Sequence, residues 1–74
     1  MEKDWIKIFT SPNFYQSEIV KQMLIENNID AVLLNKQLSG YNIGPVEVYI
    51  HHEDFSKAVE LMALNDIKPW KYEL

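Results

Sequence analysis

Two alternating stretches, "WIKIFT" from Trp5 to Thr10 and "VEVYI" from Val46 to Ile50, each lead into a stretch of helical periodicity. This ordering constrains the fold more than any other feature of the chain. Alternation sends successive side chains to opposite faces of a strand, whereas apolar residues three and four apart share one side of a helix. In the first half, Ile19, Val20, Met23 and Leu24 recur at i, i+1, i+4 and i+5, with Glu18, Lys21, Gln22 and Glu26 largely opposite. In the second, Phe55, Ala58, Val59 and Met62 fall at i, i+3, i+4 and i+7. Between the halves, "IDAVLLN" has too little room for another helix and reads as a strand. The predicted order is therefore β-α-β-β-α, and the tail "IKPWKYEL" adds either a short fourth strand or an arm over 66–74.

Local signals agree with these boundaries. The first helix can start at Ser11 with Pro12 behind it, or at Asn13 with Gln16 three residues on. Asn27 or Asn28 tolerates the left-handed conformation that closes a helix. Glu53 and Asp54 suit the positive first turn of the second helix, and Asn65 and Asp66 end it. No internal repeat or low-complexity tract stands out. An α+β, ferredoxin-like sandwich follows, with two helices on one face of an antiparallel sheet. Right-handed crossovers put the third strand between the first two and leave the tail beside strand one, its own or a neighbour's.

A chain of 74 residues is one domain, 1–74, with a small core, so an additional stabilising device is expected. It has no cysteine, which removes disulfides, thiolate metal sites and thiol catalysis and leaves a homodimer as the natural device. The N-terminal "MEKDWIKIF" carries two acids before any apolar run, unlike a signal peptide, and no segment is apolar enough to span a bilayer. A cytoplasmic location without membrane contact is expected. The net charge is -4 and all seven basic residues are lysine, which argues against nucleic acid as a partner.

If Ile6, Ile8, Val46, Val48 and Ile50 face the helices, alternation puts Trp5, Lys7, Phe9, Glu47 and Tyr49 on the open face. Three exposed aromatics there call for cover, either a second subunit or Trp70 and Tyr72 of the tail. The loop from Asn35 to Pro45 is longer than a hairpin needs and holds both glycines, Gly40 and Gly44. Either Leu38, Tyr41 and Ile43 fold back as a satellite core, or Asn35, Leu38, Tyr41, Asn42 and Ile43 meet a partner or ligand.

Catalytic and metal signals are weak by comparison. His51 and His52, followed by Glu53 and Asp54, are adjacent residues at a strand end, so the two imidazoles point to opposite faces. No metal or other cofactor is expected. The chain has no nucleophile elbow, zinc-protease helix or phosphate loop, and Ser11, Ser17, Ser39 and Ser56 fit caps, helix surface and loop. It reads as a protein without enzyme activity.

The framework "WIKIFTSPNFYQSEIVKQMLIENNIDAVLLN", followed by "GPVEVYIHHEDFSKAVELM", resembles the small bacterial domain family described as putative prokaryotic signal transducing protein. The resemblance lies in Ser17, Glu18, Ile19, Val20 and Lys21, then Asn28, Ile29 and Ala31, then Asn35, then Val46, Glu47 and Val48, and last Glu53, Asp54 and Ala58. Asn28 stands where that family often has glycine, and asparagine tolerates the same backbone. The resemblance implies a ferredoxin-like domain with a role in signalling. The expectation is a noncatalytic domain that binds a protein partner or small metabolite. The alternative is a sensor holding a metabolite at a subunit interface, near strand one and the first helix.

Overall fold

The computed structural model describes residues 4–39 and 45–70. Strand β1 spans Trp5–Ser11, helix α1 Phe14–Glu26, strand β2 Ala31–Asn35, strand β3 Val46–His51 and helix α2 Phe55–Leu64, with 3-10 turns at Lys36–Ser39 and His52–Asp54. The three strands form one antiparallel sheet in the order β1-β3-β2, so the third strand does lie between the first two. Among the described residues there is no fourth strand. The segment after α2 instead runs to Trp70, whose backbone N–H donates to the Ile8 carbonyl at 2.9 Å.

Both helices bury one side against a single face of the sheet. Ile8, Phe9, Val48 and Ile50 meet Val20 and Leu24 of α1 and Ala58, Val59 and Met62 of α2 in one core, with Ile29 closing it from the β2 approach. Of the predicted stripe on α1, Val20 and Leu24 are buried and Met23 packs against the core, whereas Ile19 is 66% exposed and Ser17 takes the buried position instead. Ser17 is fully buried, and its hydroxyl donates to the Asn13 carbonyl at 3.1 Å, so the burial leaves no polar atom unmatched.

Helix α1 begins at Asn13, whose Oδ1 accepts from the Gln16 N–H at 3.0 Å. Ser11 takes part as well. Its hydroxyl accepts from the Asn13 N–H and donates to Gln16 Oε1, so both predicted start signals belong to one network. Glu53 and Asp54 lie in the 3-10 turn that precedes α2, one step before the turn anticipated for them.

The two helices end alike, at Asn27-Asn28-Ile29 and at Asn65-Asp66-Ile67. Asn28 (φ 67°) and Asp66 (φ 58°) both take the left-handed conformation. The following Ile29 and Ile67 donate to the Leu24 and Met62 carbonyls, while Asn28 and Asp66 donate to Ile25 and Ala63. This is the paired 6→1 and 5→2 closure of a Schellman motif, made twice. Even the side chains correspond, because Asn27 Nδ2 caps the Met23 carbonyl and Asn65 Nδ2 caps that of Leu61.

Candidate functional site on the open sheet face

The face opposite the helices is set by an irregularity in β1. Its register with β3 runs Trp5 to His51, Ile6 to Ile50 and Lys7 to Tyr49, then shifts so that Phe9, not Ile8, is opposite Val48. Ile8 is the extra residue of a β-bulge, and the chain beyond it changes face. Phe9 is therefore not on the open face as alternation predicts; it is 6% exposed and belongs to the core together with Ile8. Thr10 occupies the open-face position beside Glu47 instead.

Glu47 lies at the centre of this face, between Thr10 of β1 and Leu34 of β2, and is 3% exposed. A buried carboxylate persists only when its charge and lone pairs are matched. Here Lys7 Nζ lies 3.0 Å from Oε2, Lys36 Nζ 3.3 Å from Oε1, and the Tyr49 hydroxyl donates to Oε1 at 3.1 Å. Burial by itself would raise the Glu47 pKa, but the hydrogen bonds from Lys7, Tyr49 and Lys36 outweigh it and hold the carboxyl below its ordinary value. The same burial, with the neighbouring carboxylate, pushes the Tyr49 phenol up. Among the described residues no buried side-chain nitrogen or oxygen lacks a partner.

Cover of the face comes in part from the chain's own C-terminal segment. The Trp70 ring has Lys7 Nζ 4.0 Å from its centroid, a cation–π contact on the same lysine that neutralises Glu47. Trp5 lies against the His51 ring at 4.0 Å between centroids, at the other end of the face. Tyr72 lies outside the described residues.

The cluster also fixes the base of the long loop. Lys36, the first residue past β2, is held by its side chain to Glu47 and by its N–H to the Pro45 carbonyl at 3.2 Å. Asn35 Oδ1 accepts from the Gln37 N–H, and Gln37 Nε2 reaches the Pro12 carbonyl at 2.7 Å before α1. Asn35 thus shapes the turn that launches the loop. The backbone of Leu38 belongs to that turn, and Tyr41, Asn42 and Ile43 lie outside the described residues.

Nothing in the sequence pattern distinguished Glu47 from an exposed strand glutamate. The available signal was Lys7, one strand over and on the same face. A polar pocket of about 200 Å³, lined by Asp4, His51, His52 and Glu53, adjoins the Trp5 end. Among the described residues, no three histidine or carboxylate groups are placed to hold a metal ion.

No curated protein and no solved structure matches the chain. A family model does, over residues 5–65 of the 74, which takes in every strand and helix described above. The chain accordingly belongs to the family described as "putative prokaryotic signal transducing protein".

Proposed function

We propose that this is a noncatalytic signalling domain of the cytoplasm that recognises a protein partner or a small metabolite through the loop after β2. The observation that carries this reading is the anchored loop base. Glu47, Lys36, Asn35, Gln37, Pro12 and Pro45 tie both ends of the connection to the sheet and to the α1 approach. Recognition loops work best on such rigid supports, and Tyr41, Asn42 and Ile43 supply aromatic, amide and apolar contact groups beyond the base. A carboxylate with a lowered pKa and three satisfied contacts suits structure better than proton transfer, which supports the noncatalytic reading. The family description adds the signalling context.

The fold that supports this role is read as ferredoxin-like, with two helices on one face of an antiparallel sheet. The strand order, the Trp70 bond to Ile8 and the two matching helix ends favour it.

The test compares the wild-type chain with the double variant Tyr41→Ala/Ile43→Ala, both immobilised and exposed to the same bacterial lysate. Loss of a specifically retained protein, with stability changed by less than about 1 kcal/mol, is the expected result. Native mass spectrometry of the gently purified chain reports a retained metabolite as added mass. Equal retention of protein and added mass by both chains, or collapse of stability in the variant, would remove the loop as the recognition element.

A further inference from the structure

We propose that two copies of this chain pair through β2, antiparallel about a two-fold axis at Leu33, to make one continuous sheet. This goes beyond the reading of the loop, since it concerns the edge of the sheet.

The two outer edges of the sheet differ in how they are treated. β1 is bulged at Ile8, carries Lys7 and has its Ile8 carbonyl taken by Trp70, and a bulge, a charge and a covering segment are devices that keep an edge from pairing. Strand β2 reads Ala31-Val32-Leu33-Leu34-Asn35, with no proline, glycine, charge or bulge. Its open-face residues Val32 and Leu34 are 38% and 39% exposed, among the large apolar side chains left at the surface.

The backbone orientation of β2 follows from a single bond. Lys36 donates its N–H toward β3, to the Pro45 carbonyl. In an antiparallel ladder the direction alternates, so Val32 and Leu34 also bond to β3, while Ala31, Leu33 and Asn35 direct N–H and C=O outward. Only registers that oppose odd residues to odd residues can join two such edges. Centring the pair on Leu33 opposes Ala31 to Asn35 and Leu33 to itself, three pairs exchanging on the order of six main-chain hydrogen bonds.

Side chains select this register from its neighbours. On the open face it sets Val32 opposite Leu34 of the second copy, and Asp30 opposite Lys36. Asp30 continues the strand register beside His51, its carboxylate 4.0 Å from the imidazole and 86% exposed, and Lys36 continues it at the other end, its side chain 52% exposed while the ammonium also lies 3.3 Å from Glu47. The segment from Asp30 to Lys36 is therefore self-complementary under a two-fold rotation, with apolar residues at the centre and opposite charges meeting at each end. Shifting the axis by one residue in either direction sets Asp30 against Leu34 or Val32 against Lys36. A second copy is the partner whose edge has this complement.

Sedimentation equilibrium on the full chain tests the proposal. The wild type is expected to dimerise, and Val32→Lys to raise the dissociation constant at least about tenfold while the dilute chain keeps its circular dichroism and urea midpoint. A second measurement does not depend on that variant. The chain has no cysteine, and self-opposed residues in a hydrogen-bonded pair stand about 5.5 Å apart at Cα, within disulfide reach. Leu33→Cys should then cross-link to a dimer under mild oxidation much faster than Ile19→Cys on the exposed side of α1. A wild type that stays monomeric to about 1 mM overturns the proposal. So does a dimer that survives Val32→Lys and shows no preference for cross-linking at position 33.

Discussion

Lys7 Nζ makes two contacts at once, 3.0 Å from the Glu47 carboxylate and 4.0 Å from the centre of the Trp70 ring. One lysine on β1 therefore couples the buried charge of the central strand to the segment that follows α2. The open face is a small ionic core with an aromatic cover, and its centre is as inaccessible as the hydrophobic core on the other side.

Glu47→Gln tests that core. The amide keeps the shape but cannot neutralise two ammonium groups, and both lysines are partly solvated, which softens the loss. The substitution should destabilise the domain by about 1–3 kcal/mol in urea unfolding. A change within about 0.5 kcal/mol would mean that the cluster contributes no net stability.

Acidification probes the same group. The folded pKa of Glu47 lies below its unfolded value, so its contribution is fully present above the unfolded value and is lost as the pH falls from there through the folded one. The urea midpoint of the wild type should drop over that acid range. Glu47→Gln should show a smaller drop, and equal slopes for the two proteins would exclude Glu47 as a source of the acid sensitivity.

The bulge at Ile8 makes a distinctive claim about two aromatic residues of one strand. Phe9→Ala removes a core side chain and should cost about 3–5 kcal/mol. Trp5→Ala, at a half-buried position against His51, should cost less than half as much despite the larger ring. Urea unfolding of the two variants decides it, and the opposite ranking would place Phe9 back on the open face.

The matched helix ends predict matched responses. Alanine at Asn28 or at Asp66 should each cost about 1 kcal/mol, since alanine bears a Cβ at positive φ without a compensating local hydrogen bond. In thermal unfolding this is a loss of about 4–8 °C for a domain of this size, and glycine at either site should restore most of it. A glycine variant less stable than the alanine variant would contradict the left-handed assignment.

The order of elements, the start of α1 and the C-terminal ends of both helices are legible in the sequence because they rest on local causes, and the strand order follows from the handedness of the crossovers. Period two against period 3.6, Asn13 ahead of Gln16, and an asparagine or aspartate before isoleucine act within a few residues of chain. Three features were decided only by packing. Alternation cannot register an inserted residue, so the Ile8 bulge, and with it the move of Phe9 into the core, depends on how β1 meets β3. The burial of Ser17 and the exposure of Ile19 depend on which side of α1 meets the sheet, which the apolar spacing alone does not distinguish. The burial of Glu47 depends on Lys7 of β1, Lys36 just past β2 and Tyr49 of β3 arriving together, two of them distant in sequence. Local sequence specifies which elements form, whereas the charge and exposure of a face come from residues that only the folded sheet brings together.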